Sequence, residues 1–274
     1  MKKSVLITGC SSGIGLCVAT GLAARGYHVF ATARKAEDLA RLRQLGLDAL
    51  ALDLDDPTSI NAAVDHVLNK TGGTLDALFN NGAYGQPGAV EDLSRDALRA
   101  QFETNLFGTI ELTNRIIPVM RRQGHGRIIQ NSSVLGLVAL RYRGAYTATK
   151  FALEALSDTL RLELRNTGIH VSLIEPGPIL SRFRENSHAA YRRWIRPETS
   201  PHREQYRALE QRLATAGAAV PFTLPPEAVL KKVVHALESP RPHVRYYVTV
   251  PTWLLAVLRR ILPYRVMDRV LRKI

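Results

Sequence analysis

Short apolar runs rich in β-branched residues alternate along this chain with longer stretches whose apolar residues recur every three or four positions. SVLIT (4–8) predicts a strand, and GIGLCVATGLAARG (13–26) predicts a helix closed by Gly26. The rhythm continues with a strand at 28–33, a helix at 36–46 ending on Gly46, and a strand at 48–54. A helix then opens on Pro57 and stops at Gly72–Gly73, followed by a strand at 75–81 and a polar loop. A long helix is expected from about Asp96 to Arg122, a strand at 126–133, a helix through GAYTATK (144–150) ending near Gly168, and a strand at 170–177. The strands are apolar on both faces, as a buried parallel sheet requires. Six such alternations predict an α/β fold: a doubly wound parallel sheet of about seven strands, with helices on both faces and right-handed crossovers.

Segment 178–225 breaks the pattern. It is rich in Arg, His and Pro, and only REQYRALEQRLA (203–214) reads as a helix. A long irregular insertion after a strand is expected to act as a substrate-binding lid. Regularity returns with PPEAVLKKVVHALESP and the strand-like VRYYVTV (244–250). With no linker between two cores, 1–274 reads as a single domain, and 251–274 as a basic helical tail that Pro263 divides in two.

The 46% hydrophobic and 22% charged composition is that of an ordinary globular protein, which leaves function to the motifs. The apolar part of MKKSVLITG is too short for a signal-peptide core, so a cytoplasmic location is expected. Cys10 and Cys17 read as small packing residues, and the scattered histidines give no metal site. The net charge of +13 admits nucleic acid, an anionic membrane or an acidic partner. No helix-turn-helix or zinc-finger pattern accompanies it, so no nucleic-acid partner is expected.

The chemistry begins where the first strand ends. TGCSSGIG places Gly9, Gly13 and Gly15, with Ser11, Ser12 and Ile14 between them, at the strand-to-helix turn. Glycines there let a pyrophosphate approach the backbone and the free N–H groups of the helix start. The second strand ends in Thr32-Ala33-Arg34-Lys35, with no acid until Glu37. A planar guanidinium at that place suits a ribose 2′-phosphate, which favours NADP over NAD. Tyr146 and Lys150 stand one helical turn apart. Spacing alone leaves two readings open: a surface helix that starts here, or a lysine that tunes a phenol for proton transfer.

Taken together, TGCSSGIG, NNGA (80–83), Asn105 in TNLFGT, NSS (131–133), Tyr146-x-x-x-Lys150 and PGPILS (176–181) resemble the classical short-chain dehydrogenase/reductase family. The resemblance is nearest to its hydroxysteroid- and retinol-type members, and it implies a Rossmann fold. By position it implies a catalytic tetrad of Asn105, Ser133, Tyr146 and Lys150. It assigns cofactor contacts to Asp53, Leu54, Asn80 and Gly82, and to Pro176, Gly177, Ile179 and Ser181, with Tyr146 and Lys150 also touching the cofactor. Two departures stand out: NNGA for the usual NNAG, and Ser181 for threonine. In that setting the lysine cation is expected to favour the phenolate and bring Tyr146 towards operating pH. Asn105 is expected to anchor a water that relays protons to Lys150.

The implied activity is NADP(H)-dependent interconversion of a hydroxyl and a carbonyl on a hydrophobic substrate, such as a steroid, a retinoid or a long-chain aldehyde. The alternatives are a β-ketoacyl carrier-protein reductase and a non-catalytic dinucleotide sensor. The resemblance also implies a homodimer or homotetramer, paired through the long helix and the Tyr146 helix. The tail is the remaining question. Residues 241–274 carry eight Lys and Arg against the single acid Asp268, and Val266, Met267, Val270, Leu271 and Ile274 follow helical spacing. The favoured reading packs this face over the substrate cleft; the competing one is peripheral attachment to an anionic membrane.

Overall fold

The computed structural model describes residues 2–215, 217 and 220–274; positions 216, 218 and 219 of the expected lid lie outside the described residues. Seven strands form one parallel sheet: β1 (Ser4–Ile7), β2 (His28–Ala33), β3 (Asp48–Ala51), β4 (Ala77–Asn80), β5 (Gly126–Asn131), β6 (Ile169–Glu175) and β7 (Arg245–Tyr247). Their order is β3-β2-β1-β4-β5-β6-β7. The order reverses between β1 and β4, and a crevice opens beyond the strand ends at that switch point.

Strand alternation divides the apolar residues between two cores. Val5, Ile7, Ala31, Phe79 and Ile129 face one side, under α1 (Gly13–Ala24), α2 (Ala36–Gln44) and α9 (Glu227–Glu238). Leu6, Phe30, Leu78 and Ile128 face the other, under α3 (Pro57–Thr71) and α5 (Gly108–Gln123). This is why the strands read as continuous apolar runs. Helix limits follow local chemistry. Asp56 caps α3 by accepting from the Thr58 N–H at 2.8 Å, Pro57 occupies its first turn, and Gly72 closes it at φ +66°.

Four expectations need correction. The long helix is not continuous: α4 (Arg95–Phe102) passes into a π turn (Glu103–Phe107) before α5 begins. The Tyr146 helix, α6 (Gly144–Glu163), stops short of Gly168. Strand β3 ends at Ala51, so Asp53 and Leu54 stand on the loop beyond it. The irregular segment holds two helices, α7 (Phe183–Trp194) as well as α8 (Arg203–Ala214). Helix α7 buries only Ser187, Ala190 and Tyr191, too few apolar positions to show a period.

The tail forms α10 (Val250–Ile261) and α11 (Tyr264–Leu271), broken at Pro263 as expected. Leu255, Leu258, Met267 and Leu271 pack on Val134, Leu137 and Val138. The inner face of the tail therefore covers the segment just after Ser133, while Val266 and Ile274 of the expected apolar spacing stay exposed. Among the described residues no helix is long and apolar enough to cross a membrane.

Candidate active site

The glycine loop is built by close approach. Gly9 and Gly13 take φ of +71° and +54°, a region that favours glycine. A Cβ on Gly15 would lie 2.1 Å from the carbonyl oxygen of Gly9, so the start of α1 can tuck under the loop only without one. Ser12 occupies the N-cap, yet its side chain makes no capping bond, and the first turn of α1 holds no acid. The free N–H groups and positive end of α1 thus suit an anionic group, as a dinucleotide pyrophosphate requires. Ile14 packs against the first core, and the carbonyl of Ser11 accepts from Arg41 of α2.

Two residues outside the expected set hold this loop against β4. Thr8 Oγ1 accepts from the N–H groups of Asn81 (2.9 Å) and Gly82 (2.8 Å). Asn81 Nδ2 donates to the carbonyls of Thr8 (3.0 Å) and Gly9 (3.2 Å), while its Oδ1 accepts from Asn131 at 2.9 Å. The side chain of Asn80, an expected cofactor contact, is buried and donates to Thr113 Oγ1 at 2.8 Å. The reason is strand alternation: neighbours on β4 face opposite sides of the sheet, so Asn81 and not Asn80 meets the loop.

On the adenosine side, Arg34 lies at the end of β2 with its side chain 67% exposed and one nitrogen 4.0 Å from Asp53 Oδ1. Leu54 is buried beneath Gly82. Among the residues expected to face the nicotinamide, the Pro176 carbonyl accepts from the Val134 N–H at 2.8 Å. Ile179 bridges to Leu224, and Ser181 lies over Gly13. Gly177 is packed so tightly that a Cβ would come 2.1 Å from Thr249 Oγ1, the residue that caps α10.

The tetrad residues converge where β4, β5 and α6 meet. Asn105 sits in the π turn, and its side chain is fully engaged. Oδ1 accepts from the Tyr84 N–H (3.1 Å), and Nδ2 donates to the Tyr84 carbonyl (2.9 Å) and Thr149 Oγ1 (3.3 Å). The side chain therefore fixes the Tyr84 loop rather than pointing at Lys150. Ser133 caps the short turn that follows β5 and touches the Tyr146 phenol, a contact that eases the phenol's ionisation.

Lys150 is buried, donates to the Asn131 carbonyl at 2.7 Å, and lies 5.6 Å from the centre of the Tyr146 ring. Burial pushes its pKa down to about 8, although Glu154 one turn further on pulls it up. Burial also raises the Tyr146 phenol well above the usual 10. In the protein alone, burial outweighs the easing contact with Ser133, so the phenol is harder to ionise than a free one.

Behind Lys150 lies a buried charge cluster that the motifs did not include. Tyr146, Lys150, Glu154 and Asp158 recur every four residues along one face of α6. Arg245 of β7 gathers the acids: it is 2.9 Å from Glu154, 2.7 Å from Asp158 and 3.1 Å from Glu175, which is fully buried. Burial and the neighbouring Glu154 push Glu175 up to about 9, against the pull of Arg245. The spacing on α6 was visible in the sequence; the partners Arg245 and Glu175 lie too far along the chain to be inferred.

Helices α7 and α8 reach over the cleft. Phe183 meets the Tyr146 ring edge-on at 5.3 Å. Tyr206 donates to Asp92 (2.5 Å) and accepts from the Ala89 N–H (2.8 Å), and His202 lies 2.6 Å from Glu91. Ala89, Leu93, Ala145, Tyr191 and Tyr206 form a separate apolar cluster beneath these helices.

Comparison with known proteins agrees with this geometry. Residues 3–192 match the family model for short chain dehydrogenases. The chain is 46% identical over 272 residues to the uncharacterized oxidoreductase YbbO of Escherichia coli, covering 99% of this chain and 95% of that one. It is 35% identical over 264 residues to human 17-beta-hydroxysteroid dehydrogenase type 1, covering 90% and 78%. A short-chain dehydrogenase/reductase from Burkholderia phymatum, solved in complex with NAD, superposes with a TM-score of 0.78 at 26% identity, covering 94% of this chain and 92% of that one.

Proposed function

The chain belongs to the short-chain dehydrogenase family, and from that premise we propose that it is an NADP(H)-dependent oxidoreductase for a hydrophobic hydroxyl/carbonyl pair. That it is an oxidoreductase of this family is established by the match; the cofactor and substrate class are the proposal. The observation that carries it is the convergence of Ser133, Tyr146 and Lys150 beside a glycine loop whose cationic neighbour is Arg34. A charge-assisted, bidentate contact from Arg34 fits a 2′-phosphate, and no acid competes for a ribose hydroxyl at the end of β2.

When bound, the nicotinamide dinucleotide supplies or accepts a hydride. The chain provides the rest. Ser133 donates a hydrogen bond to the substrate oxygen, and Tyr146 gives that oxygen its proton or takes it away. Lys150, oriented by the Asn131 carbonyl, places positive charge beside the phenol. Asn105 holds the Tyr84 loop that borders the site. Phe183 on the face of the cleft, with the tail over 134–138, supports an apolar substrate and a lid role for α7 and α8. The kinship with a human hydroxysteroid dehydrogenase points the same way.

For assembly we propose a two-fold pair through α5 and α6. Phe107, Phe151, Leu156 and Leu162 are exposed there, and Leu106, Phe107, Ile110 and Leu156 line a shallow apolar depression. The function is tested by following NADPH and NADH oxidation against a steroid ketone, retinal, a long-chain aldehyde and a β-ketoacyl carrier protein. Turnover of the apolar carbonyls with NADPH is expected. Preference for the carrier-bound substrate, or for NADH, would overturn the respective half of the reading.

A further inference from the structure

The tail carries a second apolar face that the fold leaves open. On α10, Val250, Trp253, Leu254, Val257 and Ile261 follow i, i+3, i+4, i+7, i+11 spacing and form one stripe opposite the face seated on 134–138. The stripe is exposed: Val250 by 65%, Trp253 by 57%, Leu254 by 46% and Ile261 by 67%. Beyond the Pro263 break, Tyr264 is also exposed, by 72%, with Arg259 stacked on its ring. The border of the stripe is cationic. Arg260 lies at the edge of the stripe, three residues after Val257, and exposed Arg265, Arg269, Arg272 and Lys273 follow on α11 and at its end. Asp268 is the single acid in 241–274.

We propose that α10 and α11 dock the protein on an anionic lipid bilayer. The α10 stripe enters the boundary between headgroups and acyl chains, and the arginines lie over the lipid phosphates. Aromatic and aliphatic residues on one side with arginines at the edge are what an interfacial helix requires. Short helices usually bind membranes weakly because they must order on arrival. Here the inner face already holds both helices in place, so that cost is absent. Charge decides against a second copy as the occupant: a two-fold contact would bring the same cations together, with one acid in each tail to offset them. Docking would also hold the cleft beside Ser133 close to the bilayer, where apolar substrates reside, although the docking itself does not depend on the reaction.

Flotation of the full chain with vesicles tests this, using phosphatidylcholine alone and phosphatidylcholine mixed with phosphatidylglycerol. Binding is expected to the mixed vesicles at low salt and to be released by added salt, with little binding to phosphatidylcholine alone. The pairs Trp253→Ser with Leu254→Ser, and Arg260→Glu with Arg265→Glu, should each weaken it by about tenfold or more while circular dichroism and Tm stay unchanged. In a Trp194→Phe background, Trp253 emission should shift to the blue on binding. Absence of binding to the anionic vesicles at low salt would overturn the proposal. So would binding that neither pair weakens, or a solution mass that drops in the Trp253/Leu254 variant without any vesicle binding, which would assign the face to a second copy.

Discussion

Lys150 Nζ points at the main-chain oxygen of Asn131, 2.7 Å away, so the cation of the site is aimed by β5 and not by the phenol it serves. Tyr146 and Lys150 consequently do separate work. Tyr146→Phe should lower kcat by about 10²–10⁴-fold, the range for a lost general acid, and leave the Kd for NADPH within about twofold. Lys150→Ala should damage both. Stopped-flow turnover and fluorescence titration read the two quantities; near-normal turnover in Tyr146→Phe would end the proposed mechanism.

Arg34 is exposed and bound only loosely to Asp53, which leaves it available to a ligand. Arg34→Leu should raise the KM for NADPH by about tenfold to a hundredfold, as for a lost charged hydrogen bond, and the KM for NADH by about twofold at most. Equal effects on both cofactors would show that Arg34 does not read the 2′-phosphate.

Stability should depend on pH through Glu175. Its folded pKa, about 9, lies above the ordinary 4.5, so its contribution is full below about 4.5 and lost as pH rises through 9. Lys150 acts oppositely: with a folded pKa near 8 against 10.5, its contribution is full above 10.5 and lost as pH falls through 8. The two partly cancel in the wild type, and Glu175→Gln separates them. The variant's Tm relative to wild type should rise by roughly 5 °C between pH 6 and 9.5. A difference independent of pH would mean that Glu175 is already ionised at pH 6. Arg245→Met, which strands the acids, should cost about 3–5 kcal/mol in a urea titration.

The exposed apolar residues of the π turn and α6 lead to a test of assembly. Phe107→Asp with Leu156→Asp should convert a dimer to a monomer at micromolar concentration, measured by light scattering. A wild type that is already monomeric would remove the proposed pair.

The sheet could be read from the sequence because strands buried on both faces form short, mostly apolar runs between helix-period segments. The grouping of Ser133, Tyr146 and Lys150 could be read because the last two share a helix and Ser133 lies at a strand end. What escaped depends on geometry that spacing does not encode. A π turn adds one residue to a helical turn, so 96–122 keeps enough periodicity to look continuous while Asn105 is turned towards Tyr84. Asn80 and Asn81 look equivalent in NNGA; only the facing of β4 distinguishes them. Arg245 meets Glu154 across 91 positions of chain, a pairing that local pattern cannot reveal.

The fit of Gly177 against Thr249 bears on how the protein is made. The loop of Gly177 is backed by Thr249, which caps the first helix of the tail, and Ser133's segment by the helices that follow it. Both supports follow β7 in the chain and so leave the ribosome after β1 to β6. A nascent chain therefore assembles most of its sheet before it has a finished catalytic centre. A premature stop beyond β7 would spare the bulk of the core and still leave the nicotinamide side without its backing.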